Sequence, residues 1–181
     1  MTFNPDIHRR RSIRRRGYDY SRAGMYFVTL CTHDRTPLFG EVINGEMKLS
    51  EAGVIAADEI LATAKMRHNV LFGEYIVMPN HMHGIIVVGA RCTRPRCTTR
   101  PDCDAGHEPG RVQRAPTIGD VVRGYKSAVT KRINQLRNSP SSPVWQRNYY
   151  EHIIRDDSAY LKIAEYIQSN PRRWREDVYC V

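Results

Sequence analysis

Three features of this 181-residue chain predict an α+β domain. Residues 24–33 (GMYFVTLCTH) alternate as a strand does, with Tyr26, Val28, Leu30 and Thr32 on one face. Residues 75–88 (YIVMPNHMHGIIVV) set β-forming residues on both sides of Pro79-Asn80, which reads as a hairpin turn. Three further stretches, beginning near residues 50, 117 and 157, repeat apolar side chains at helical spacing. The order is strand, helix, hairpin, helix, strand, helix, which suits a sheet with helices packed against it.

The size suits one domain, long enough to bury roughly 70% of its unfolded surface. The net charge is +9, and 23 of the 28 basic residues are arginine. Arginine's planar fork suits phosphate contacts, so this bias favours nucleic acid over a generic basic surface. The cysteines number five, an odd count, and no run of eighteen apolar residues or apolar leader is present. The expectation is a reduced cytoplasmic protein with no membrane partner.

Residues 1–16 carry Arg14, Arg15 and Arg16 among seven arginines and histidines in two clusters, and almost nothing apolar. They read as a basic N-terminal arm ahead of a single domain over residues 17–181. After the first strand, Asn44-Gly45 marks a turn, and Ser50 reads as the N-cap of a helix to about Lys65 carrying Val54, Ala57, Leu61 and Ala64 at helical spacing. In the hairpin that follows, His81 and His83 share one face of a strand, with Met82 pointing away. Such a pair is half of a metal site or two ordinary histidines, and the local sequence leaves both open.

Residues 89–116 lose all periodicity and contain a near-repeat, RCTRP at 91–95 and RCTTRP at 96–101, so they read as an insertion. Cys92, Cys97 and Cys103 lie there, but intervals of four and five residues are not paired zinc knuckles, and His107 would have to complete the set. Thr117 and Asp120 form a capping-box pattern ahead of a stripe of Ile118, Val121, Val122, Tyr125, Val129, Ile133 and Leu136. Arg123, Lys126, Lys131 and Arg132 fall largely off that stripe, as a solvated face or a phosphate-facing one. Residues 144–155 (VWQRNYYEHIIR) have strand character, with Arg147 and Arg155 as further candidate phosphate contacts.

The last helix, capped at Asp157 or Ser158, has an apolar stripe of Tyr160, Ile163, Ala164 and Ile167 and ends at Asn170-Pro171. Tyr166 and Asn170 are i,i+4 neighbours beside that stripe. Each taken alone reads as a boundary aromatic and a helix cap. Tyr149, Tyr150 and His152 are the competing tyrosines and the competing base or ligand.

Taken together, GYDY (17–20), YFVTLCT (26–32), VMPNHMHGII (77–86), WQRNYYEHIIR (145–155) and YIQSNP (166–171) resemble the REP-associated tyrosine transposases, a branch of the single-tyrosine HUH transposases. The resemblance implies a ferredoxin-like or RRM-like antiparallel sheet with helices packed on one face. It further implies a divalent metal, Mg²⁺ or Mn²⁺, on His81, His83 and Asn170, with Tyr166 as nucleophile. The implied activity is a metal-dependent single-strand DNA endonuclease and strand transferase that forms a 5′-phosphotyrosine at hairpin-containing repeat DNA. Its partner would be single-stranded or hairpin DNA, with no small-molecule substrate, and it would act at the nucleoid as a monomer, with a dimer as the alternative. The candidate DNA contacts are Arg14, Arg15, Arg16, Arg123, Lys126, Arg147 and Arg155. A host-retained protein that binds such hairpins with little or no cleavage is the alternative. An RNA-binding RRM-like module would share the sheet but has no need of the histidine pair.

Overall fold

The computed structural model describes residues 18, 20, 23–67, 69–89 and 116–180. The basic arm with Arg14, Arg15 and Arg16, and the insertion with Cys92, Cys97, Cys103 and His107, lie outside the described residues. Six strands and three α-helices follow one another: β1 (Gly24–Cys31), β2 (Gly40–Ile43), β3 (Glu46–Leu49), α1 (Glu51–Met66), β4 (Val70–Met78), β5 (His81–Val88), α2 (Ile118–Leu136), β6 (Tyr150–Ile154) and α3 (Asp157–Ser169).

Four of the strands form an antiparallel sheet in the order β4-β5-β1-β6. With α1 and α2 as the crossovers this is the βαββαβ topology of ferredoxin-like folds. β2 and β3 make a separate hairpin. At its tip Asn44 and Gly45 both have positive φ, 52° and 78°, the conformation that an Asn-Gly pair accepts in a tight hairpin.

The period of two in β1 divides the core. Tyr26, Val28 and Leu30 pack with α1 and α2 in the larger cluster, whereas Phe27 belongs to the smaller one beneath α3, with Ile85, Ile154, Ala164 and Ile167. The α1–α2 layer thus covers one face of the sheet and α3 lies against the other. Caps fix the helix starts: Ser50 Oγ accepts from Gly53 N, Thr117 and Asp120 form the predicted capping box, and Asp156, one residue earlier than expected, accepts from Ala159 N.

Three sequence expectations change. The helices do not share one face of the sheet: α3 lies opposite α1 and α2, over the second apolar face that Phe27, Ile85 and Ile154 provide. In α1 the stripe of Val54, Ala57, Leu61 and Ala64 is not the core face; Ala52, Gly53, Ala56 and Ile60 are buried, while Val54 and Leu61 are exposed. Residues 144–155 are strand only from Tyr150, because Trp145 instead forms an isolated bridge with Thr32 beyond the end of β1.

Candidate active site

The turn that precedes β5 builds the site. Thr32 N and Oγ1 both donate to the Asn80 carbonyl at 2.9 Å, fastening the turn to the end of β1. The Asn80 amide is oriented by donating Nδ2 to the Tyr179 carbonyl at 2.7 Å, so its Oδ1 accepts from His81 Nδ1 at 2.9 Å. That bond leaves His81 Nε2 as the lone-pair nitrogen. His83 lies two residues on, over the same face, with Nδ1 2.8 Å from Thr29 Oγ1.

The two Nε2 atoms face each other at 3.0 Å. Both rings are fully buried, at 0% and 1% exposure. Burial pushes the His81 pKa down to about 4, with Asp177 acting the other way, and pushes His83 well below its usual value, helped by His81. Two neutral imidazoles are therefore presented in the form that ligates metal. Two nitrogens at about 2.1 Å from one cation and at a right angle would stand about 3.0 Å apart, so the pair fits an ion.

From the other side, α3 brings Tyr166 and Asn170. Tyr166, 37% exposed, has its hydroxyl 3.3 Å from His83 Nε2 and 3.5 Å from Asp177 Oδ2. Burial first, and then the Asp177 charge, raise its pKa to about 12. Asn170 is buried at the C-terminal end of α3; its Nδ2 donates to Asp177 Oδ2 at 2.8 Å, and its Oδ1 is buried without a hydrogen-bond partner. A buried carboxamide oxygen with no partner, on a residue that hydrogen-bonds Asp177, is available as a further donor to an ion at this site.

Sequence reading missed Asp177. It lies past Pro171 in a stretch without periodicity, and only its acidic character marked it. His81, His83 and Asp177 each offer a ligand atom, all within 4.8 Å of one another, so this group could hold a metal. Asp177 Oδ1 accepts from Tyr179 N at 2.8 Å, and the Tyr179 ring packs 4.7 Å from His81.

The expected DNA contacts are scattered. Arg123 is exposed and paired with Asp120. Lys126 is half-buried, its Nζ reaching the carbonyls of Gln146, Arg147 and Asn148. Arg147 lies with Lys126 and Lys131 along a groove of about 580 Å³ beside α2. Arg155 lines another, of about 430 Å³, with His152 and Tyr20. Of the expected site residues that are described, His81, His83, Tyr166 and Asn170 gather around Asp177, and the basic ones do not.

A His-x-His pair on an inner strand of an antiparallel βαββαβ sheet, faced by a tyrosine-bearing helix, defines an HUH-type fold. The solved structure of the REP-associated tyrosine transposase bound to a REP hairpin superposes with a TM-score of 0.53 at 19% identity, over 91% of this chain and 74% of that one. The sequence resemblance thus holds at the level of fold. An uncharacterized protein of Haemophilus influenzae is 41% identical over 182 residues, covering 97% of this chain and 95% of that one. This chain belongs to the same family as that Haemophilus protein. No protein-family model matches it.

Proposed function

We propose that the protein is a metal-dependent single-strand DNA endonuclease and strand transferase that forms a 5′-phosphotyrosine intermediate at hairpin-containing repeat DNA. The observation that carries this reading is the Tyr166 hydroxyl 3.3 Å from His83 Nε2, itself 3.0 Å from His81 Nε2. The proposed nucleophile and ligand cluster meet within one chain, which supports action as a monomer.

Mg²⁺ or Mn²⁺ held by His81, His83 and Asn170 would supply Lewis acidity at the scissile phosphate. The protein's own groups do the rest. Tyr166 Oη attacks phosphorus, the bond to the 3′ oxygen breaks, and that oxygen leaves as a 3′-hydroxyl after taking up a proton. Asp177 Oδ2, 3.5 Å from the phenol, is placed to accept the phenolic proton. Attack by another 3′-hydroxyl on the phosphotyrosine reverses the exchange, so joining needs no nucleotide cofactor. The +9 charge suits a polyanionic partner. A DNA substrate of this kind would put the protein at the nucleoid. Among the described residues no helix is long and apolar enough to cross a membrane.

The test is incubation with a labelled single-stranded hairpin carrying flanking sequence, in Mn²⁺ or Mg²⁺, read on a denaturing gel and by peptide mass spectrometry. A metal-dependent adduct on Tyr166, absent in Tyr166→Phe while binding persists, is the expected result. Binding with no adduct in either metal would favour a hairpin-binding protein without cleavage.

A further inference from the structure

The nucleophile has an aromatic neighbour that the proposed chemistry leaves without a role. β6 is the edge strand of the sheet, and Tyr150 opens it opposite Thr29, whose hydroxyl holds His83. Tyr150 therefore projects on the same face as His83. The Phe27 ring joins the two ends of this arrangement. It stacks on His83 at 5.3 Å, meets Tyr166 edge-on at 6.2 Å and meets Tyr150 edge-on at 6.3 Å. Tyr150 is nonetheless 54% exposed.

Two residues further along the same face, His152 pairs opposite Phe27 and is exposed. Past the strand end, Arg155 lines the groove of about 430 Å³ with His152 and Tyr20. The edge of the sheet thus presents, in order from the nucleophile, a half-exposed phenol ring, an imidazole and a guanidinium. A ring held from one side and open on the other is a stacking platform, and a cation beyond it suits the next phosphate.

We propose that Tyr150 stacks an unpaired nucleobase of the DNA strand next to the scissile phosphate, and that the strand then runs along β6 towards Arg155. This proposal rests on the single-strand DNA reading above. A flat π-face accepts any base, so the platform sets the path of the strand and the position of the phosphate rather than its sequence. Phe27 couples the platform to Tyr166, since both rings lean on it.

The test uses the full chain with Mn²⁺ and two hairpins, one with single-stranded flanks and one without. 2-Aminopurine is placed in turn at each flanking position. Tyr150→Ala is expected to weaken binding of the flanked hairpin about tenfold, leave the unflanked hairpin unchanged and abolish fluorescence quenching at one flanking position. Tyr150→Phe, which keeps the ring, is expected to bind like wild type and keep the quenching. A melting curve for Tyr150→Ala matching wild type excludes misfolding. Equal binding and quenching in Tyr150→Ala and wild type would overturn the proposal, as would an equal loss on both hairpins. Wild-type protein that binds neither hairpin would overturn the functional reading itself, and this proposal with it.

Discussion

Asn170 Nδ2 donates to Asp177 Oδ2 at 2.8 Å, and this bond determines which end of the carboxamide is left without a partner. With its nitrogen tied to a carboxylate, Asn170 can offer only oxygen, and that oxygen is buried and unpartnered. In the proposed metal site, Asp177 would therefore orient Asn170 from the chain segment after α3. Removing it in Asp177→Ala should lower Mn²⁺ affinity by roughly 10- to 100-fold in calorimetry, as loss of an outer partner of a metal ligand does. Asp177→Asn can still accept the amide hydrogen bond and should fall between the two. An unchanged affinity in Asp177→Ala would show that the carboxylate has no part in the site.

The two histidines make stability depend on pH in the metal-free protein. Burial lowers both pKa values, His81 to about 4 from an ordinary 6.5. Below about pH 6.5 the unfolded chain takes up protons that the folded one refuses, so folding stability falls with pH through that window. It is flat above it. For His81 alone the loss approaches about 3 kcal/mol by pH 4. Urea unfolding at pH 7.5, 6 and 5 should show a decline that His81→Gln/His83→Gln flattens. Added Mn²⁺ should stabilise wild type at pH 7.5 and do so less at pH 5, where protons compete for the nitrogens.

The parts of this site legible in the sequence share one property: local periodicity places them. His81 and His83 share a face because strands repeat every two residues and the Pro79-Asn80 turn starts the count. α2 was legible in its cap and its buried stripe, apart from an exposed Leu136. What escaped depends on packing between distant segments. Asp177 reaches the histidines only because the chain after Pro171 turns back over them. Lys126, off the apolar stripe of α2 and read as solvated or phosphate-facing, instead donates its ammonium to the carbonyls of the 146–148 loop. The buried side of α1 escaped because small and polar residues carry little pattern: Ile60 is the one large apolar side chain on it, beside Ala52, Gly53, Ala56, Glu59 and Thr63.

α3 carries Tyr166, the proposed nucleophile, and a polar contact ties this helix to the β4 edge of the sheet. Tyr160 OH donates to Glu74 Oε2 at 2.5 Å, at the irregularity between Phe72 and Tyr75 where β4 leaves its register. Tyr160→Phe keeps the ring and removes the bond. It should cost about 1 kcal/mol, lowering the melting temperature by roughly 2–4 °C. The adduct-forming rate on Tyr166 should fall with it, because the near end of the helix is no longer fixed. A variant with an unchanged melting temperature would mean that apolar packing alone seats the helix.

Gly53 tests the close packing of α1 most directly, because the local and tertiary effects of adding a methyl group have opposite signs. In an exposed helix, Gly→Ala is stabilising by about 1 kcal/mol, since alanine costs less backbone entropy. Here a Cβ on Gly53 would overlap the Phe39 carbonyl oxygen and press on Leu49. That carbonyl cannot simply retreat. It accepts from Ser50 N at 2.9 Å, while Phe39 N donates to the Pro79 carbonyl at 2.9 Å, beside the turn that aims His81. Relief must come from moving α1 away from the sheet or from disturbing that turn. Gly53→Ala should therefore destabilise by roughly 2 kcal/mol or more, as overpacking a core does. Its Mn²⁺ affinity should fall as well, because the strain falls on the turn before β5. Leu61→Gly, at an exposed position of the same helix, should show little beyond the helix-propensity loss and bind Mn²⁺ normally. A Gly53→Ala variant as stable as wild type would mean that α1 has room to shift, and that the small residues on its inner face do not set its distance from the sheet.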